Sequence, residues 1–411
     1  MISTPTIASL VYREGLSSVF QSQVLVPARK LRELGVNMLV EVAAPPGEFF
    51  RAELKGRWQN LLADTGADVP IRRIPVLPSR MRNEAVEAAI VSFLSHVRKA
   101  STRPQIVHAR NAPAACLALR VRQQGQQIIY DCRGLEAVEA AYRDPSCSES
   151  GKARVLQDMQ DRAVRGADAI LCVSRAMQEH LAAQYDLSPE RITVVPCCVE
   201  EDVFRNALRK RSALRTEMAL SDKQVLVYSG GMQRWQRTDA LLRLFRLVLD
   251  MEPAAHLLAL VTDPGKMKTM LKAAGLESHA TVLNVPAAQV PNMLSAGDMG
   301  VLIRDRCLVN QVASPVKFGE YLAAGLSVLM TEGIGDFSEL ARDEKLGVVF
   351  SDPDSIGKET AKLNEFLVHL RSNAEAQRAH CMRTAAEHLS WNVHAPRLKS
   401  LYDSMFRQEG S

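Results

Sequence analysis

The chain has 411 residues, 47% hydrophobic and 5% aromatic, with 51 basic and 46 acidic side chains and a net charge of +5. That length accommodates two domains of about 200 residues with full aliphatic cores. The small, dispersed positive excess excludes a nucleic-acid-binding stripe, and eight cysteines without metal-ligand spacing exclude a secreted disulfide framework.

Short apolar runs alternate with helical patterns from the start, which predicts a parallel α/β sheet. Ile7 to Tyr12 reads as a strand, Gly15 to Ser18 as a small-residue loop, and Val19 to Leu34 as a helix stopped by Gly35. A strand at Asn37 to Val42 precedes the breaker AAPPGE, followed by a basic helix at Arg51 to Ala63. Next come a strand at Val69 to Ile74, a helix at Asn83 to Lys99, and a strand at Gln105 to Arg110. The Pro113–Gln124 helix stops at Gly125, and a strand at Gln127 to Tyr130 runs into Asp131-Cys132-Arg133-Gly134. A helix at Lys152 to Arg165, a strand at Ala169 to Val173, a helix from Ser174 and a strand at Ile192 to Val195 complete this half.

Pro196 to Phe204 reads as a join, after which the rhythm restarts. Strands are expected at Gln224 to Tyr228, His256 to Thr262, Ala280 to Leu283, Asp298 to Ile303, Leu326 to Met330 and Gly347 to Phe350. Residues from about Ser355 onward read as helical and polar.

Chemistry concentrates in SPVKFGEYLAAGLSV, Ser314 to Val328. Pro315 suits the first turn of a helix and Gly325 its left-handed stop. Such a helix start is an anion site, to which Lys317 adds a charge and Glu320 a carboxylate able to accept from paired hydroxyls. Phosphate at one end and ribose at the other would suit a nucleotide sugar. The plainer alternatives are an exposed i,i+3 ion pair for Lys317 and Glu320 and a helix cap for Ser314.

The segment resembles the donor-site helix of family 4 glycosyltransferases of GT-B fold, in the form S-P-x-K-x-x-E-Y-L-A-x-G. Pro196, Val199 and Phe204 resemble the family's hinge, with Cys197-Cys198 in place of Asn-Gly. Gly333 to Asp336 and Gly347 to Phe350 resemble its G-I-G-D turn and following strand. The resemblance is strong in the C-terminal half and weak before Asp131. Asp-x-Arg-Gly at Asp131 is similar to members that handle bacterial surface sugars.

The resemblance implies an α/β GT-B architecture, two Rossmann-like domains with an inter-domain cleft. The expected divisions are 1–198 for the acceptor, 199–375 for the donor, and 376–411 as helices crossing back, with Trp391 to Phe406 suited to that crossing. It implies a retaining transfer of sugar from a nucleotide diphosphate sugar to an acceptor hydroxyl, in polysaccharide or glycolipid synthesis. Glu320 would hold the ribose, and Ser314, Lys317, Gly230, Arg234 and Gly15 would face the diphosphate.

Two family charges are replaced. The second Glu of the usual pair is Val312, and an Arg–Lys pair five apart falls on Gly231 and Gln236, leaving Arg234 and Arg237 as displaced candidates. Asp131, His108 and Arg133 are the candidate catalytic residues, Asp131 as general base or hydroxyl-orienting group, with a structural Asp–Arg pair as the alternative. No Asp-x-Asp metal motif is evident at the donor segment, so neither metal nor cofactor is expected. An epimerase on the same fold and a catalytically weakened partner subunit remain open.

Ile71 to Arg110 carries eight basic residues (Arg72, Arg73, Arg80, Arg82, Arg98, Lys99, Arg103, Arg110) against Glu84 and Glu87. It would face an anionic glycan or lipid-linked acceptor, or present a solvated helix face. No leader-like segment opens the chain and no apolar run approaches about 18 residues. The expectation is a cytoplasmic protein, compatible with peripheral contact at the inner membrane.

Overall fold

The computed structural model describes residues 6–14, 17–45, 47, 69–77, 84–97, 103–149 and 151–408. The chain divides into two compact units, Met1–Pro196 with Trp391–Ser411, and Cys197–Ser390.

Among the described residues the first unit holds seven strands: β1 (Thr6–Tyr12), β2 (Asn37–Ala44), β3 (Ile71–Pro75), β4 (Ile106–Arg110), β5 (Gln127–Cys132), β6 (Ala169–Cys172) and β7 (Ile192–Val194). Their order is β3-β2-β1-β4-β5-β6-β7, every pair parallel. Helices cover both faces of such a sheet, which is why its strands read as continuous apolar runs instead of alternating ones. The order reverses between β1 and β4.

The second unit has six strands: β8 (Gln224–Gly230), β9 (Ala255–Val261), β10 (Ala280–Leu283), β11 (Met299–Leu302), β12 (Ser327–Thr331) and β13 (Gly347–Phe350). They run β10-β9-β8-β11-β12-β13, all parallel, with the reversal between β8 and β11. Val225 and Val227 enter one apolar cluster, and Leu226 and Tyr228 the other, as the period of two along a strand requires.

Three local departures have physical causes. The expected Val19–Leu34 helix widens into a π turn at Gln21–Leu25 before resuming at Val26–Glu33. Pro27, at the start of the resumed helix, has no N–H to continue an ordinary ladder. Pro315 is the residue before the Val316–Ala323 helix rather than part of its first turn, since its ψ of 119° is extended. The helix stop is as expected: Gly325 has φ 75°, Gly325 N–H donates to Leu322 O and Leu326 N–H to Tyr321 O, both at 2.9 Å.

The third departure concerns the domain limits. Residues 376–390 stay with the second unit, because the Thr360–His388 helix buries Cys381 and Ala385 in that unit's core. Val199 N–H donates to Leu389 O at 2.8 Å, so entering and leaving chain lie side by side. The chain rejoins the first unit at Trp391, whose indole N–H donates to Ser22 O at 3.0 Å.

Candidate functional site

Open α/β sheets take ligands at the carboxyl ends of the strands where the order reverses. In the second unit that point lies beyond Gly230 on β8 and Ile303-Arg304 after β11. The Val316–Ala323 helix brings Lys317 there, 7% exposed. Its Nζ donates to Gln236 Oε1 at 3.1 Å and lies 4.7 Å from the centre of the Tyr228 ring. A Cβ on Gly230, where φ is 133°, would meet that Nζ at 2.9 Å. The backbone conformation favours glycine, and a side chain there would displace the Lys317 ammonium.

No carboxylate forms an ion pair with Lys317 among the described residues. Burial lowers its pKa to about 7, with Arg304 pushing the same way and Glu320 opposing. Glu320, one turn further along and half-buried, is pushed up to about 7 by burial, against the pull of Lys317. Its carboxylate accepts no hydrogen bond among the described residues. The exposed i,i+3 ion pair is thus excluded: Lys317 turns inward to Gln236. The result is a buried cation and a half-buried carboxylate on one helix.

Ser314 does not cap that helix. Its buried hydroxyl accepts the Cys197 N–H at 2.9 Å, tying the helix start to the first residue of the unit. Arg234 opens a 3₁₀ turn, Arg234–Gln236, with its side chain exposed. Arg237 is held by Asp239, Asp305 and Asp354. Gly15 lies outside the described residues, as do Arg80, Arg82 and the expected Arg51–Ala63 helix. Val312 is 2% exposed, so the position is shielded from water.

Two members of this site escape a reading by motif. Gln236 counts in sequence as a lost positive charge, yet it is buried and supplies the acceptor that orients Lys317. Arg304 is 7% exposed, and its Nη1 donates to Asn310 Oδ1 at 3.3 Å. Its signal is an arginine directly after the apolar run MGVLI.

In the first unit, Asp131, His108 and Arg133 do come together. His108 Nε2 lies 3.2 Å from Asp131 Oδ2, and Nδ1 2.8 Å from the Tyr402 hydroxyl. Arg133 Nη1 is 3.5 Å from Asp131 Oδ1, and Arg110 Nη1 is 4.0 Å from Oδ2. Burial alone would raise the Asp131 pKa, but Arg133, His108 and Arg110 outweigh it and hold the carboxyl at about 2. A carboxylate so stabilised is a poor proton acceptor at neutral pH. Both ring nitrogens of His108 are occupied, and the residue is 8% exposed. This geometry favours the structural alternative over a general base: the cluster fastens the Trp391–Gln408 helix to the sheet through Tyr402.

Residues 22–198 match the family model described as a glycosyl transferase 4-like domain. That match covers less than half of the chain. D-inositol 3-phosphate glycosyltransferase 1 of Catenulispora acidiphila is 26% identical over 178 residues, 43% of this chain and 42% of that protein. The match therefore spans less than half of the curated relative. HepE of Anabaena, solved with UDP-glucose, superposes with a TM-score of 0.69 at 14% identity, covering 97% of this chain and 99% of HepE. A glycosyltransferase of Rickettsia africae gives 0.70 at 14%, covering 98% and 99%. At such identity the likeness is one of fold, and the fold is GT-B.

Proposed function

We propose that the chain transfers a sugar, with retention, from a nucleoside diphosphate sugar to an acceptor hydroxyl in polysaccharide or glycolipid synthesis. The observation that carries this reading is Lys317, a buried ammonium at the sheet's reversal point with no ion-paired carboxylate among the described residues. A diphosphate would supply the missing charge, and neutralising it is what the departing nucleotide requires. Arg304 adds positive potential. HepE was solved with UDP and with UDP-glucose, which makes a uridine donor the first to test. The acceptor falls to the first unit, where Arg72 and Arg73 on β3 belong to the basic stretch.

Calorimetric titration with UDP, GDP and their sugars tests the donor reading, and no binding by any of them would end it. Product formed without an acceptor would point to an epimerase or hydrolase instead. If Glu320 accepts the ribose hydroxyls, Glu320→Gln should weaken donor binding by roughly 1–3 kcal/mol, because charged acceptors form the stronger hydrogen bonds. Unchanged affinity in the folded variant would remove Glu320 from the site.

Because side chains supply the countercharge in this reading, turnover should persist in excess EDTA. Complete loss, restored by Mg²⁺ or Mn²⁺, would assign that work to a cation.

A further inference from the structure

The turn that carries Gln236 ends in a residue whose backbone its surroundings must hold in place. Arg237 has φ 40° and ψ 54°, the left-handed region that a residue with a Cβ adopts only at a cost. Its guanidinium spreads over three carboxylates. Two parallel bonds of 3.0 Å reach Asp239, one of 2.7 Å reaches Asp305 and one of 2.8 Å reaches Asp354. Asp239 lies at the start of the Thr238–Met251 helix, Asp305 follows β11, and Asp354 follows β13. Arg243 closes the network, with bonds of 2.8 Å to Asp239 and 3.0 Å to Asp354. The Arg237 side chain makes no capping bond to the helix it precedes. What it fastens is the Arg234–Gln236 turn, to three segments around the sheet's carboxyl edge.

We propose that Arg237 is a positioning residue: it clamps this turn so that Gln236 Oε1 holds the Lys317 ammonium at the anion position. The identity of the anion rests on the function proposed above, whereas the clamp rests on the geometry of the second unit alone. Gln236 is the one side-chain acceptor bonded to Lys317 Nζ among the described residues. The other groups facing it are the Tyr228 ring, the Arg304 guanidinium and the Glu320 carboxylate. None of these would hold the ammonium in the same place once the turn loosened. A forked guanidinium suits the task because its planar donors fix direction as well as distance.

The test compares Arg237→Gly, Asp305→Asn and Arg237→Lys with the unaltered protein. Lysine-labelled NMR of the ligand-free protein follows the Lys317 titration, its signal assigned by its absence in Lys317→Met. Arg237→Gly removes backbone strain together with the clamp, so overall stability should change little. Lys317 should nevertheless titrate at higher pH as water reaches it, and UDP should bind about 3- to 10-fold more weakly, the loss expected from one misplaced hydrogen bond. Asp305→Asn, which leaves the backbone of 237 untouched, should move both readings the same way, and Arg237→Lys should fall between.

An unmoved Lys317 titration in folded Arg237→Gly and Asp305→Asn would overturn the clamp. So would a fall in stability alone, with titration and binding unchanged. Should the unaltered protein bind no UDP, the donor reading fails, while the ligand-free titration still judges the clamp.

Discussion

Replacing Lys317 by Met should weaken nucleoside diphosphate binding by roughly 10- to 100-fold, the loss expected for a charged hydrogen bond, and should make the ligand-free protein more stable. The opposite signs have one cause. Lys317 is 7% exposed with no ion-paired carboxylate among the described residues, and burial brings its pKa down to about 7 from 10.5. Holding a lysine in that state at pH 7 costs on the order of 4 kcal/mol relative to the unfolded chain. Methionine keeps the length of the stem without the charge, so a few kcal/mol should return as stability. The gain falls short of the full amount because Gln236 loses its donor.

Between pH 7 and 10.5 the unfolded chain keeps the lysine proton and the folded chain does not. The unfolded state therefore binds more protons, and stability from this group rises with pH across that window. Lys317→Met should abolish that slope. Donor binding should fall as pH rises past about 7, with proton uptake on binding visible as a buffer-dependent heat in calorimetry. A variant no more stable than its parent, or binding UDP equally well, would show that Lys317 is solvated or satisfied by other groups.

The second large effect is expected at Asp131. Asp131→Ala removes the buried carboxylate that Arg133, His108 and Arg110 share, Arg110 keeping Glu14 at 2.9 Å. Breaking a buried charge cluster from one side costs about 3–5 kcal/mol. The first unit should unfold at lower denaturant, with the Trp391 environment reporting it, since Trp391 and Tyr402 lie on the same helix against this sheet. Acid should act in the same direction. The folded carboxyl holds its charge down to about 2, against 3.8 when unfolded. Its contribution, about 2 kcal/mol, is complete above the unfolded value and lost as pH falls from about 4 towards 2. Full retention of stability with loss of turnover would instead restore Asp131 to the catalytic reading.

Much of the architecture was legible because a parallel sheet imprints itself on sequence. Strands buried on both faces must be apolar throughout, and the runs at Ile7, Ile106, Ile128, Val225 and Leu257 mark them in the sequence itself. Gly325 was legible as a stop because a left-handed residue there favours glycine. The π turn before Pro27 was less so, since proline predicts an interruption without saying which form it takes. The end of the second unit was invisible for another reason. Whether a polar helix packs back on its own unit depends on Cys381 and Ala385 finding a core, and periodicity does not say which core.

The same division runs through the site. From the residues alone came the helix start, Lys317 and Glu320, because Pro, Lys, Glu and Gly at those spacings leave few other uses. Whether Lys317 faces solvent or interior, whether Glu320 pairs with it, and which groups surround Asp131 were decided by tertiary structure. Each depends on what lies opposite the side chain, and the opposite groups come from far along the chain: Gln236 for Lys317, and Tyr402, through His108, for Asp131. Local sequence sets backbone conformation and the pattern of burial. Protonation and partnership follow from distant groups that only the fold brings within about 3 Å of one another.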